Sequence, residues 1–395
     1  MGTPMTIADL ASGIIDLGLL SGGTLELTTG SASHMSADAM PMTGMFSPVT
    51  ISFSLSYSDA ITGICTRSDK RRRCHHSASA GNGIKYDENI ISNMDGTPSE
   101  IFEQGVRYEL GHGVEKDEQK AFQLYLQAAD GGNIPAECAV ADMYMSGRGT
   151  VMDPAKGLEY FSRAAEKGSG RAMLNIGMMH LIGAGVPMDS KAAAEWFLRA
   201  ADAGEAGAFA ELGMLYINGE GVEQDIEEGA KWMLRSAESG DPVSQYKVGY
   251  MYEEGEGLEK DLGKAYMWYA RSADQDIPDA QFKAASMLYD GIAVERDEIK
   301  ALNYYTKSAK AGFVPSMFNI GVIMFTKGDY DEAFRWFQNG SMRNDADCQF
   351  YFGRLYIEGK GVKRDLSTGI KWLRLSAKNG NTMAQDVINR VESSL

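Results

Sequence analysis

From about residue 101 onward, hydrophobic and polar positions follow the period of amphipathic helices. In the stretch 207–240, Ala208, Leu212 and Tyr216 recur at steps of four residues, which places them on one face of a helix of about ten to twelve residues. A second run of the same period is centred on Trp232. We call the first helix of such a pair helix A and the second helix B. Each has only one apolar face, so neighbouring pairs must stack to complete a core.

The connection between the two helices has a fixed composition. Gly219 and Gly221 form a Gly-x-Gly motif that ends helix A, because glycine adopts the left-handed conformation at low cost. Asp225 precedes helix B, where its carboxylate is expected to accept a hydrogen bond from an amide of the first turn. The motif recurs every 36 residues, at Gly111/Gly113, Gly147/Gly149, Gly183/Gly185, Gly219/Gly221 and Gly255/Gly257, then as a Gly-Ile-Ala variant at Gly291, and finally at Gly359/Gly361. One unit is four residues shorter than the others, with its connection near residues 325–330.

Other residue types share this spacing. Tryptophan occupies one column of helix B, at Trp196, Trp232, Trp268, Trp336 and Trp372. Glycine recurs within helix A, at Gly177, Gly213, Gly249, Gly321 and Gly353, where we expect it to allow close approach of a neighbouring helix, with the tryptophan or an Ala pair packing against it. Aspartate recurs before helix B at Asp117, Asp153, Asp189, Asp225, Asp261, Asp297 and Asp365. The periodicity predicts an all-α fold of eight helix-turn-helix repeats within residues 98–395. Their approximate bounds are 101–136, 137–172, 173–208, 209–244, 245–280, 281–316, 317–348 and 349–384.

Residues 1–97 have a different composition, rich in Ser, Thr, Gly and Met, and carry no sustained periodicity. We expect them to form a low-complexity and mostly disordered segment. Within it, residues 50–57 alternate as a strand would, and residues 7–20 favour a transient helix. The basic run Lys70–Arg73 is a candidate nuclear-import signal.

Charge and composition exclude several classes of function. The formal net charge of −16 disfavours nucleic acid as a partner, because the phosphate backbone would be repelled. No apolar run is long enough to span a membrane, and no signal peptide is recognisable. The four cysteines, Cys65, Cys74, Cys138 and Cys348, have no regular spacing. We therefore predict a reducing, cytoplasmic location.

The sequence predicts neither a catalytic site nor a cofactor or metal. The Gly-x-Gly motifs follow helices, whereas a phosphate-binding loop follows a strand. The recurring aspartates are interpreted as helix caps, since their spacing places each in a different repeat. The cluster Cys65, Cys74, His75 and His76 lacks a zinc-finger spacing. No Ser or Cys nucleophile can be combined with a base and an orienting group, so we predict that the protein is not an enzyme.

The repeat pattern resembles a known family. The sequence from Ala208 to Gly240 matches, almost completely, the pattern Ala-x-x-x-Leu-Gly-x-x-Tyr-x-x-Gly-x-Gly-Val-x-x-Asp-x-x-x-Ala-x-x-Trp-x-x-x-Ser/Ala-Ala-x-x-Gly. This is similar to the SEL-one-like repeat (SLR), a relative of the tetratricopeptide repeat. The resemblance implies a right-handed α-solenoid that acts as a scaffold or adaptor, with helices A lining a concave groove. Cysteine-rich relatives linked to β-lactam hydrolysis carry paired Cys in every repeat, unlike this chain.

By analogy with tetratricopeptide arrays, groove residues lie three before, one after and four after the recurring Gly or Ala of helix A. The predicted partner-binding residues are Leu174, Met178, Leu181, Met214, Ile217, Tyr246, Tyr250, Glu253, Phe282, Tyr289, Phe318, Phe325, Phe350 and Arg354. Two interpretations stay open: these side chains complete the packing between adjacent helices A, or they bind an extended or helical peptide. The acidic surface favours a basic or neutral peptide.

Three functions follow from these observations and the resemblance. The first is a non-enzymatic scaffold or adaptor that holds a protein or peptide in its groove. The second is a regulatory subunit that activates or localises a partner enzyme. The third and most remote is a β-lactamase-like hydrolase.

Overall fold

The computed structural model describes residues 96–393, which contain 17 helices and no strand. The helices are α1 Pro98–Leu110, α2 Glu118–Asp130, α3 Ile134–Ser146, α4 Pro154–Glu166, α5 Gly170–Ile182, α6 Ser190–Asp202, α7 Gly207–Asn218, α8 Ile226–Ser239, α9 Pro242–Glu254, α10 Leu262–Ala273, α11 Pro278–Asp290, α12 Glu298–Lys310, α13 Val314–Lys327, α14 Tyr330–Ser341, α15 Ala346–Glu358, α16 Leu366–Lys378 and α17 Met383–Ser393. The transient helix predicted for 7–20, the strand predicted for 50–57, and the Cys65–His76 and Lys70–Arg73 motifs lie outside the described residues.

The first sixteen helices form eight pairs, so the predicted all-α repeat fold is confirmed. Helices α1, α3, α5, α7, α9, α11, α13 and α15 are the A helices of repeats 1 to 8, and α17 follows the last pair. The described chain divides into two compact units. The N-terminal unit comprises residues 96–208 and 220–223, and the C-terminal unit comprises residues 209–219 and 224–393.

The recurring aspartates cap helices B, as the sequence predicts. In repeat 5, Asp261 accepts a hydrogen bond from the amide of Lys264 at 2.9 Å, and its own amide donates to the Tyr252 carbonyl at 2.9 Å. Asp365 has the equivalent bonds with the amide of Thr368, at 3.1 Å, and the carbonyl of Tyr356, at 2.9 Å. Each aspartate therefore both starts helix B and closes the connection from helix A.

The two glycines of the connection have different functions. In repeat 5, Gly255 ends α9 with a φ of 80°, and its amide donates to the Met251 carbonyl. Gly257 lies against the start of the preceding helix B, where a Cβ atom would be 2.6 Å from the Ile226 carbonyl oxygen. The second glycine thus lets the connection of one repeat rest on helix B of the repeat before it.

Repeat 6 carries alanine at this second position. Ala293 adopts a φ of 57°, a left-handed conformation that costs an L-residue about 1–2 kcal/mol. We expect Ala293→Gly to raise the free energy of unfolding by about 0.5–1 kcal/mol, since part of the gain is offset by the greater freedom of glycine in the unfolded chain. Denaturant titration followed by circular dichroism measures this, and a decrease in stability would contradict the prediction.

Repeat 7 has lost the long connection. Gly328 alone ends α13, and Asp329 immediately caps α14 by accepting from the amide of Glu332. No Gly-x-Gly loop is present in this repeat to rest on the start of α12. Instead, the Lys327 ammonium at the end of α13 forms an ion pair with Glu298 in the first turn of α12.

Glycines within helices A allow close packing of helix B. The prediction of which helix B side chain packs against each glycine is wrong. The sequence suggests that tryptophan or an Ala pair fills the space beside these glycines. The residue after the tryptophan column lies there instead: a Cβ on Gly177 would be 2.5 Å from the Phe197 ring, and one on Gly321 would be 2.5 Å from the Phe337 ring. Successive residues of a helix point about 100° apart, so only the residue after the tryptophan column faces the glycine.

None of the helices within residues 96–393 combines the length and the hydrophobicity that crossing a membrane requires.

Candidate partner-binding site on the A helices

We call the predicted groove residues of each unit its A-helix face. Nine of these side chains are half-buried, namely Leu174, Met178, Leu181, Met214, Tyr246, Tyr250, Glu253, Phe282 and Phe318. Five are buried, with exposed fractions of 7% for Ile217, 5% for Tyr289, 3% for Phe325, 4% for Phe350 and 6% for Arg354. The buried side chains contribute to packing, so the accessible part of the predicted site is the half-buried set.

In the N-terminal unit the A-helix face comes from a single helix. Leu174, Met178 and Leu181 lie on α5 at spacings of four and three residues, and each is half-buried. Ile182, beside them, is 42% exposed. The unit therefore presents a short apolar stripe.

In the C-terminal unit the A-helix face is aromatic over repeats 5 and 6. Tyr246, Tyr250 and Phe282 are only partly buried and pack against one core cluster. The Tyr246 ring lies 5.6 Å from the ring of Tyr269, and the Phe282 ring lies 5.9 Å from the ring of Tyr305, measured between centroids. One edge of each of these two aromatic side chains is thus fixed by a buried tyrosine of helix B, while part of its surface stays accessible.

The Glu253 carboxylate on this face already has partners within the protein. The Tyr269 hydroxyl donates to Glu253 Oε2, and the Lys283 ammonium lies 3.1 and 3.2 Å from the two carboxylate oxygens. Burial, reinforced by the Glu253 carboxylate, raises the pKa of Tyr269, so the hydroxyl keeps its proton. A ligand would meet a hydrogen-bonded network here rather than a free negative charge.

The Arg354 guanidinium, like the Glu253 carboxylate, already has partners within the protein. Its Nε and Nη2 atoms donate to Glu358 Oε1 at 3.0 and 2.8 Å, and the Lys360 ammonium lies 2.8 Å from Glu358 Oε2. Its guanidinium is 5.7–5.8 Å from the ring centroids of Phe325, Phe350 and Tyr351. Arg354 therefore belongs to a buried charged network.

Two charged residues of helices A lie outside the set of groove residues predicted from the sequence. Glu211 and Lys247 occupy the position two residues before the recurring glycine, and both are half-buried. Burial raises the pKa of Glu211 and lowers that of Lys247, and each of the two charges partly offsets the shift of the other. Lys247 Nζ lies 3.1 Å from Met214 Sδ. The sequence does indicate this position, because charged residues recur there in several helices A.

Neighbouring carboxylates also affect the tyrosines of this face. Burial raises the pKa of Tyr246 to about 12, and the Asp279 and Glu253 carboxylates act in the same direction. The Tyr246 hydroxyl is therefore neutral at physiological pH and can donate a hydrogen bond to a ligand. Among residues 96–393, no group of three or more His, Cys, Asp or Glu side chains is arranged to hold a metal ion.

The comparisons with known proteins agree with this architecture. The Sel1 repeat model matches eight segments, at residues 105–133, 134–169, 170–205, 210–241, 242–277, 278–313, 314–345 and 346–381. These segments cover more than half of the chain, so the protein belongs to the Sel1 repeat family, as the resemblance predicts. Sel1 repeats form helical solenoids that typically serve as protein-binding scaffolds, and no enzyme family is found.

Solved structures of the same family are similar over most of the chain. A protective antigen present in uropathogenic Escherichia coli strains, displaying an SLR fold, is 28% identical with a TM-score of 0.53, covering 74% of this chain and 72% of that one. A Sel1 repeat protein from Oxalobacter formigenes is 27% identical with a TM-score of 0.54, covering 74% and 86%. A search of the curated proteins gives no match.

Proposed function

We propose that the protein is a non-enzymatic adaptor that binds a peptide segment of a protein partner on the A-helix face of its C-terminal unit. The observation that carries this proposal is the set of half-buried aromatic side chains, Tyr246, Tyr250 and Phe282, on two successive A helices. Rings that are already packed on one side lose little conformational freedom on binding, and they supply large contact areas.

The chemistry of this face favours a neutral or basic peptide. The Glu253 carboxylate is satisfied by Tyr269 and Lys283, and the Glu211 carboxylate interacts electrostatically with Lys247. The Tyr246 hydroxyl keeps its proton and can donate a hydrogen bond to a carbonyl group of such a peptide. The net charge of −16 acts in the same direction at longer range.

The test compares partner capture by the wild type with capture by the triple variant Tyr246→Ala, Tyr250→Ala and Phe282→Ala. Affinity purification with the full chain identifies the stoichiometric partner, and its purified form is then titrated against each protein. We expect the triple variant to bind at least about tenfold more weakly, because the central contact area is removed. If an enzyme is the partner and its activity changes on binding, the adaptor is also a regulatory subunit.

Controls separate lost contacts from lost folding. The pair Tyr266→Ala and Trp336→Ala removes half-buried aromatic area from helices B and is expected to leave binding unchanged. Truncation of packed rings also destabilises the fold, so a milder pair, Tyr246→Gln and Phe282→Gln, is tested as well. Its helix content is first shown to equal that of the wild type, and it is also expected to bind the partner more weakly. Unchanged affinity in both A-helix variants would exclude this face as the binding site.

A further inference from the structure

A column of arginines lies on helices B, three residues after the aromatic column. In the N-terminal unit, Arg163 lies over Tyr160 and Arg199 over Trp196, with guanidinium-to-centroid distances of 4.9 and 4.1 Å. In the C-terminal unit, Arg235 lies 4.4 Å from the centroids of both Phe209 and Trp232, and Arg271 lies 4.7 Å from that of Trp268. The same cation–π arrangement is therefore present in four repeats, from the second to the fifth.

Repeat 2 shows what a guanidinium in this position binds. While lying over Tyr160, Arg163 forms an ion pair with Glu137, with Nη2 3.0 Å from Oε1, and the Lys167 ammonium lies 2.9 Å from the same oxygen. Glu137 lies on helix A of the same repeat and is completely buried. Stacking on the ring and binding of a carboxylate are thus compatible in one arginine of this column.

The following repeats lack that carboxylate. The positions equivalent to Glu137 hold Met173, Phe209 and Gln245 in repeats 3, 4 and 5. Arg199, Arg235 and Arg271 are exposed, and they form no ion pair with a residue in the described part of the chain.

An acidic residue follows each of these three arginines by one helical turn, but the two side chains do not form an ion pair. Three residues after each arginine, the sequence has Asp202, Glu238 and Asp274. None of these carboxylates forms an ion pair with the guanidinium of its own repeat. Asp274 instead accepts a hydrogen bond from the Tyr304 hydroxyl at 2.6 Å. The three guanidinium groups therefore lie against the rings, are exposed, and have no ion pair in the described part of the chain.

We infer that Arg235 and Arg271, on successive helices B of the C-terminal unit, bind carboxylates of an acidic segment of a partner protein while each stays stacked on its ring, as Arg163 does when it pairs with Glu137. A guanidinium that is already stacked on a ring has lost part of its rotamer freedom, and its planar set of donors matches a carboxylate. This surface lies on helices B, so the inference is independent of the peptide site proposed for the A-helix face. An adaptor with both sites holds a neutral or basic segment and an acidic segment at the same time.

The test uses a fluorescein-labelled peptide of twelve residues rich in Asp and Glu, titrated with the full chain and followed by fluorescence anisotropy. The probe control is the same peptide with every Asp and Glu changed to Asn and Gln. We expect saturable binding of the acidic peptide only. The pair Arg235→Ala and Arg271→Ala is expected to weaken it by about tenfold.

Two further variants distinguish the stacked column from net charge. The pair Arg335→Ala and Arg374→Ala removes the same two charges from exposed arginines that are paired with Glu332 and Glu392, and it is expected to bind as the wild type does. The pair Arg235→Lys and Arg271→Lys keeps the charge and is expected to bind at least about threefold more weakly, because lysine lacks the planar donor set. Equal losses in both alanine pairs, full affinity of the lysine pair, or no saturable binding would each overturn the inference.

Discussion

Arg354→Ala is expected to lower the free energy of unfolding by about 3 kcal/mol, the usual cost of breaking a buried ion pair by removing one partner. The Arg354 and Glu358 side chains are only 7% and 6% exposed, and two hydrogen bonds join them. Without the guanidinium, the Glu358 carboxylate keeps only its contact with Lys360 and stays desolvated. The change is measured by denaturant titration at neutral pH.

Two controls test this explanation. Arg335→Ala breaks an ion pair of the same chemical type that is exposed, so its expected cost is within about 0.5 kcal/mol. Arg354→Met combined with Glu358→Leu removes both charges and should recover most of the stability, because a buried ion pair contributes little relative to an apolar pair of similar volume. A small loss in Arg354→Ala, similar to that of the exposed pair, would show that Arg354 is available to a partner instead.

Gly249→Ala is expected to destabilise the protein by about 2 kcal/mol, although alanine is the better helix former. A Cβ atom at this position would be 2.7 Å from Tyr269 Cδ1, and that ring is fully buried with its hydroxyl bonded to Glu253. The ring cannot withdraw without breaking this bond. Thermal and denaturant unfolding followed by circular dichroism measure the loss.

The matched control is Gly263→Ala in the helix B of the same repeat. Its Cβ would meet only a side-chain oxygen of Asp261, at 3.3 Å, and the position is exposed. Here the helix propensity of alanine dominates, so we expect unchanged or slightly higher stability. If both substitutions change stability by the same amount and in the same direction, close packing is not the function of Gly249.

Local features of the fold were predictable from the sequence. Asp261 and Gly255 determine where helices start and end through bonds to residues three or four positions away, so the pattern alone identifies their functions. The repeat spacing adds the packing of neighbouring pairs, because one repeat cannot form a core alone. The exact partner of the helix A glycines was not predictable, since it depends on the rotation of helix B about its axis.

The accessible surface of the site was less predictable. Arg354 occupies the same repeat position as Met178 and Met214, yet the rings of Phe325, Phe350 and Tyr351 enclose it. Glu253 is neutralised by residues 16 and 30 positions away. The repeat position of a residue predicts which face of the helix its side chain occupies. The solvent exposure of that side chain depends on the size and charge of side chains from neighbouring helices.

The shortened connection of repeat 7 makes one junction sensitive to ionic strength. At the other junctions where the second glycine is present, backbone atoms of the connection rest on the preceding helix B, and such contacts do not respond to salt. Between repeats 6 and 7 this contact is replaced by the partly exposed ion pair of Lys327 with Glu298, which dissolved ions screen. Raising the salt concentration therefore weakens this junction selectively, by up to about 0.5 kcal/mol, whereas the apolar core shared by repeats 6 and 7 is not screened.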